Sequence, residues 1–182
     1  MFNLKIIYIL IYIMLKLYNP IKSTKCVLPI FIGLKYYEKE QLGKTIELIN
    51  NKYNTLDIVV CDTLQRWTYI NRPDMPGCAY QTALLAGSNW IYRNDQYIKQ
   101  LTIPYRVTRW QHWLDQVDID SALQVYTSNK NFIDAIKQSL DLESNDNKIF
   151  KMHYLFEKCV VIDMFKKYNA CVLYPPKPFL FY

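Results

Sequence analysis

The sequence has little glycine, 4 residues in 182, and only two histidines, His112 and His153. It contains no G-x-G-x-x-G and no G-x-x-x-x-G-K-[ST], so the backbone cradle that dinucleotide and nucleoside-triphosphate enzymes wrap around phosphates is missing. A G-x-S-x-G nucleophile elbow is missing too. The cysteines at 26, 61, 78, 159 and 171 form no C-x-x-C and no metal-ligand spacing with the histidines, so neither a metal nor a cofactor is expected. An odd cysteine count without a framework fits buried free thiols in a reducing compartment, and hence a cytoplasmic protein. Four Gly and eight Pro leave no linker or low-complexity tail.

Hydrophobic side chains make up 51% of the chain and aromatic ones 15%, enough for one domain with a real core. The formal net charge of +6 is uneven. Residues 1–25 carry +4, residues 26–147 carry −2 and residues 148–182 carry +4, so the body is nearly neutral and the total identifies no anionic partner by itself. The longest apolar run, Ile6 to Leu15, has ten residues, against the ~18–20 that span a bilayer. Residues 1–25 are read as an apolar, basic segment with three alternatives: a docked terminal element, a signal or anchor, or an upstream extension with Met14 as another start. Residues 26–182 form the domain.

Cys26 to Leu34 is a short continuous apolar run that reads as a buried parallel strand ending at Gly33. Glu38 and Glu40 open a helix that places Leu42, Ile46, Ile49 and Tyr53 on one face. Leu56 to Cys61 is a second strand stopped by Asp62, completing a βαβ unit. Residues 72–78 read as a loop, 79–101 as a long helix and 103–108 as a third strand. Helical segments follow near 118–127, 130–141 and 148–168, the last two separated by a turn at Asn145-Asp146-Asn147; Ala170 to Tyr174 reads as the last strand. This alternation predicts a single Rossmann-like α/β domain, its mainly parallel sheet flanked by helices and its site outside the C-terminal strand ends. Gly33 to Tyr37, Asp62 to Arg66, Thr108 to Trp110 and Tyr174-Pro175 are expected to share that edge.

Taken alone, Phe31 is an ordinary core residue, Cys61 an inert strand cysteine and Asp62 either a site carboxylate or a helix N-cap. His153 alone reads as a structural histidine. Arg66, Arg93, Arg106 and Arg109 interleave with Trp90, Trp110 and Trp113, which suits a single-stranded nucleic-acid end or, equally, a solvated surface above a Trp-rich core.

With these segments in place, the sequence resembles the tRNA-dependent cyclodipeptide synthases, in the branch with a Tyr-Pro pair after the last strand. The family stretch C-x-x-P-I-S-V-G-Q-x-Y-H-E-G-E-K-L has its ungapped counterpart in residues 26 to 42, and A-D-T-L-Q-R in Cys61-Asp62-Thr63-Leu64-Gln65-Arg66. W-x-x-R-N appears as Trp90 to Asn94 and R-W-x-x-W as Arg109 to Trp113. Y-L-x-E-E-C-A-V appears as Tyr154 to Val161, and the Tyr-Pro pair as Tyr174-Pro175. The ordered blocks run from residue 26 to about 178.

The resemblance implies a fold similar to the class I aminoacyl-tRNA synthetase catalytic domain and an aminoacyltransferase joining the amino acids of two aminoacyl-tRNAs into a cyclic dipeptide. It implies aminoacyl-tRNA as partner and a monomer without metal. In such a reaction a strand-end serine takes the first aminoacyl group as an ester, which is covalent catalysis. This chain has Phe31 there, with no nucleophilic atom. Tyr154 matches the family tyrosine, while Lys158 stands in place of the family glutamate; a cation would repel the α-ammonium that a carboxylate holds. A one-residue shift would align His153 and Glu157 instead. The implied site adds Tyr174 to the catalytic positions. It assigns Gly33, Leu34, Asp62, Arg66, Glu157 and Pro175 to substrate, and Arg93, Lys99, Arg106 and Arg109 to tRNA. A synthase that has lost its chemistry is therefore expected, with a non-catalytic aminoacyl-tRNA binder as the alternative.

Overall fold

The computed structural model describes residues 23–70, 77–130, 132–134, 137, 145–168 and 170–173. The expectations placed on the N-terminal run, on residues 72–76 and on Tyr174-Pro175 lie outside the described residues. Four strands, β1 (Lys25–Ile30), β2 (Thr55–Val60), β3 (Tyr105–Arg109) and β4 (Cys171–Val172), form one all-parallel sheet in the order β3-β2-β1-β4. This is the expected α/β architecture. Cys26 to Ile30 are all buried, as an unbroken apolar run must be when helices cover both faces of a central strand.

Pro29 is compatible with this central position because of register. The Val27 carbonyl accepts the Leu173 N–H at 2.8 Å and the Ile30 carbonyl accepts the Cys61 N–H at 2.9 Å. Odd residues of β1 therefore point toward β4 and even residues toward β2. Pro29 faces the β4 side beyond the paired Cys26 and Val27, where no ladder donor is needed.

Helix α1 (Lys39–Lys52) buries Leu42, Ile46 and Ile49 against the sheet, spaced four and three residues apart as one helical face requires. Each such side chain contributes about 1.5–3 kcal/mol of burial. Helices α2 (Arg66–Tyr69), α3 (Ala79–Ile98), α4 (Trp110–Leu114), α5 (Ile119–Ser128) and α6 (Asn145–Lys167) follow. Trp90, Trp110, Leu28, Leu64 and Phe165 are among the fully buried side chains of the core.

Several boundaries differ from expectation. β1 stops at Ile30, which leaves Phe31 at the start of a turn closed by Leu34 N–H to the Phe31 carbonyl at 3.3 Å. β3 starts at Tyr105, two residues late, because Pro104 lacks a donor for the ladder. Arg109 to Trp113 includes a short helix that its aromatic content concealed. The polar triplet Asn145-Asp146-Asn147 forms the first turn of α6 rather than a break before it; short polar residues suit helix starts as well as turns. Four of the five unbridged cysteines are buried, but Cys78 is exposed. Among the described residues no helix is long and apolar enough to cross a membrane.

Candidate functional site

A parallel sheet brings the segments after β1, β2 and β3 to one edge, and α6 crosses that edge. After β1, Gly33 takes φ +90°, a conformation open to glycine; a Cβ there would meet nothing within 4 Å, so the requirement is conformational. The 3-10 turn Lys35–Tyr37 then folds Tyr37 inward, leaving it 2% exposed.

Helix α3 fastens this loop. Trp90 Nε1 donates to the Tyr37 carbonyl at 2.8 Å, and Arg93 Nη2 meets Glu38 Oε1 at 3.1 Å. Asn94 Nδ2 donates to Glu38 Oε2 at 3.0 Å, while Asn94 Oδ1 accepts the Lys39 N–H at 2.9 Å. Lys39 is held at φ +50°, where the family stretch carries glycine. The W-x-x-R-N residues Trp90, Arg93 and Asn94 thus act on the β1 loop.

A second fastening joins β2, β3 and α3. Asp62, fully buried, caps the turn Thr63–Gln65 through its Oδ1 and the Thr63 N–H at 2.8 Å, and its Oδ2 pairs with Arg109 Nη1. Arg109 also donates to the Leu84 carbonyl at 3.1 Å and to Ser88 Oγ at 2.8 Å. Burial pushes the Asp62 carboxyl up, against the opposing pull of the Thr63 N–H and Arg109. Gly87 makes the approach possible: a Cβ there would lie 2.5 Å from Asp62 Oδ2 and 2.9 Å from Arg109 Nη1.

The third fastening centres on buried Glu157. Arg66 meets it as a fork, Nη2 to Oε2 at 2.6 Å and Nη1 to Oε1 at 3.1 Å. Trp67 Nε1 donates to Oε2 at 2.9 Å and Trp110 Nε1 to Oε1 at 2.6 Å. Four donors on two oxygens leave this carboxylate with little capacity for a ligand. His153 is exposed and stacks on the Trp67 ring, centroids 4.7 Å apart.

One residue along α6 the surroundings change. Lys158 Nζ sits 4.7 Å from the centroid of the Phe31 ring, a cation on an aromatic face, and no described carboxylate pairs with it. Burial lowers its ammonium below the ordinary lysine value, and neighbouring Cys159 and Cys61 pull the other way. Burial likewise pushes the Cys61 thiol well up, with Lys158 opposing, which makes Cys61 inert as a nucleophile. The hydroxyls of Tyr154 and Tyr37 are raised by burial and by Cys61; Tyr37 also feels Tyr154. The Tyr37 hydroxyl and Thr63 Oγ1 are buried without a hydrogen-bond partner.

The residues expected at the site therefore divide. Phe31, Tyr154 and Lys158 form one cluster with Tyr37 and Cys61, whereas Arg66 and Glu157 bind each other, as do Asp62 and Arg109. Gly33 and Leu34 turn the chain beside Phe31. Of the cations assigned to tRNA, Arg93 in α3 pairs with Glu38, Lys99 at the end of α3 with Asp95, and Arg106 in β3 with Asp57. Sequence reading placed Tyr37 at the edge without assigning it a role and missed Trp67, Ser88 and Gly87; the indole N–H groups, which need partners when buried, were the signal for the tryptophan contacts. Among the described residues no group of three or more His, Cys, Asp or Glu could hold a metal ion. A cleft of about 510 Å³ lined by Gly43, Glu47, Asn50 and Thr102 lies at the opposite end of the sheet.

Fold and edge together define an open, all-parallel α/β domain with its loops fastened over the C-terminal strand ends. Its likeness is to cyclodipeptide synthases. A cyclodipeptide synthase from Fluoribacter dumoffii superposes with a TM-score of 0.76 at 29% identity, covering 90% of this chain and 80% of that one. A cyclo(L-leucyl-L-phenylalanyl) synthase gives 0.62 at 11% identity over 85% of this chain and 79% of its own. A Mycobacterium tuberculosis protein, whose structure relates cyclodipeptide synthetases to type I tRNA synthetases, gives 0.58 at 13% over 74% and 64%. These last two establish the fold alone. No protein-family model and no curated protein matches the sequence.

Proposed function

We propose that this chain is a cyclodipeptide-synthase-like protein that receives the aminoacyl end of tRNA at the C-terminal strand edge and does not carry out the two-step synthesis. The observation that carries this reading is the occupant of the strand end. Phe31 stands where the family stretch has its serine, 5% exposed and covered by Lys158, so the residue at that position has no oxygen on which an aminoacyl ester can form. The nearby thiol, Cys61, is fully buried and held protonated. Tyr154 and Lys158, four residues apart, face this point, while His153 stacks elsewhere and Glu157 is saturated; this supports the register that aligns Tyr154 with the family tyrosine.

Binding is supported by what persists around the lost nucleophile. The fastenings among the β1, β2 and β3 loops and α6 keep the edge in shape. Arg93 and Arg106 pair at the surface, where an exposed cation exchanges a carboxylate for a phosphate at little net cost; Arg109 is locked on Asp62 and serves the scaffold. The protein would act as a monomer in the compartment where aminoacyl-tRNAs are found, in keeping with its unbridged thiols.

The test is incubation of the purified protein with a mixture of aminoacyl-tRNAs and mass spectrometry for cyclic dipeptides, beside Phe31→Ser and Phe31→Ser/Lys158→Glu. The native chain is expected to give none and the double variant some. Cyclic dipeptide from the native chain would refute the loss of synthesis, and absence of aminoacyl-tRNA binding in a gel shift would refute the retained binding.

A further inference from the structure

The cluster on α6 presents an ammonium, which only donates, beside two hydroxyls, which can donate or accept, and no carboxylate with capacity to spare. Lys158 brings an ammonium without a described counter-ion, Tyr37 a hydroxyl that is 2% exposed and unpartnered, and Tyr154 a second hydroxyl that no described residue hydrogen-bonds. Lys158 and Tyr37 both adjoin the Phe31 ring, which joins them into one group, and Tyr154 lies one turn of α6 before Lys158. The one carboxylate nearby, Glu157, faces Arg66, Trp67 and Trp110 and is already filled. Phe31 supplies an apolar floor beneath the ammonium, and its ring lies 6.3 Å from that of Tyr37. Lys158 and Tyr154 remain partly accessible, so the cluster is open on the Lys158 side, with Phe31 and the Tyr37 hydroxyl buried behind it.

A half-buried cation without a described counter-ion and a buried orphan hydroxyl, both beside the Phe31 ring, are two separate deficits, and a single anionic acceptor answers both. We infer that this cluster binds the carboxylate of an amino-acid-sized ligand with an apolar body, the carboxylate on Lys158 and Tyr37 and the body against Phe31. This rests on the reading above that the cluster is the ligand-facing part of the strand-end site. It inverts the charge expected there: an α-ammonium is repelled and an acid is attracted. The acid can be that of a free, amine-blocked amino acid or the acidic side chain of an aminoacyl group.

The full chain is titrated, followed by calorimetry, with a panel of N-acetyl amino acids bearing a free carboxylate, with the matching amino-acid methyl esters bearing a free ammonium, and with inorganic phosphate. The best N-acetyl acid is expected to bind about tenfold or more tighter than its ester and than phosphate, since a charge-assisted hydrogen bond is gained in one case and a repulsion in the other. Lys158→Met, similar in volume and without the charge, should lose about tenfold of that affinity, while Lys158→Arg should keep most of it. Tyr37→Phe should weaken the acid several-fold and leave the ester unchanged. Circular dichroism confirms that each variant is folded. Equal binding of acid and ester, equal binding of phosphate, no binding of either probe, or full acid binding by Lys158→Met would overturn the inference. Gel shifts with tRNA charged with Asp or Glu, against tRNA charged with neutral residues, separate the two sources: preference for the acidic charge places the carboxylate on the aminoacyl group, and its absence with N-acetyl acid binding intact places it on the free acid. The small probes contain no tRNA. Loss of every gel shift with their binding preserved therefore sinks the functional reading alone.

Discussion

Glu157 and Lys158 are neighbours on α6 and stand in opposite situations. The carboxylate has four N–H donors from three side chains, whereas the ammonium rests on a phenyl ring with no described acid beside it. A saturated buried charge joins elements together; an unsaturated one is a demand for something outside the protein. The same contrast separates the Asp62–Arg109 fastening from the Tyr37 hydroxyl. In this chain the closed polar groups hold the strand-end loops, and the open ones are those to which the proposed ligand is assigned.

The largest expected effect breaks the closed side. Glu157→Ala would strand the Arg66 guanidinium and two indole N–H groups, and should destabilise by about 3 kcal/mol in urea unfolding. Next, Gly87→Ala forces a methyl against clamped Asp62 and Arg109 and should destabilise by about 1–3 kcal/mol, with the loss falling when Asp62→Ala is made as well.

The open side should behave the other way. Lys158→Met is expected to stabilise by about 1 kcal/mol at neutral pH, because an unpaired charge leaves an apolar wall. Burial holds this ammonium below its ordinary value of 10.5, so between the folded value and 10.5 the unfolded chain binds more protons than the folded one. Native stability attributable to Lys158 therefore rises with pH through that window and its penalty is full below it. The gap between the native chain and Lys158→Met should narrow in thermal melts as pH rises through the folded value toward 10.5. Without the Lys158 charge the Cys61 thiol is pushed higher still, so it stays protonated across this window in the variant.

The smallest effect concerns the loop that the first fastening holds. Lys39→Gly should stabilise by about 1 kcal/mol in urea unfolding, since glycine adopts φ +50° without strain, less what its freer unfolded chain loses.

The contrast between closed and open groups also bears on what could be read from the residues alone. β1 and β2 were legible because a strand buried on both faces has to be a continuous apolar run, and α1 because Leu42, Ile46 and Ile49 repeat at helical spacing. Phe31 and Lys158 stood out only against the family stretch; by composition each is ordinary. The partner of Asp62 was not legible, since Arg109 lies 47 residues away and reaches it only because Gly87 lets α3 come close. Nor was Tyr37, whose significance is an absent hydrogen bond, a property of three-dimensional surroundings and not of spacing.

The most direct measurement is the intact mass of the native protein, acid-quenched during incubation with aminoacyl-tRNA at concentrations where a gel shift shows the complex. The expected result is a shifted tRNA band and an unmodified protein mass, because Phe31 provides no oxygen for the aminoacyl ester. A protein mass increased by one aminoacyl group would contradict it.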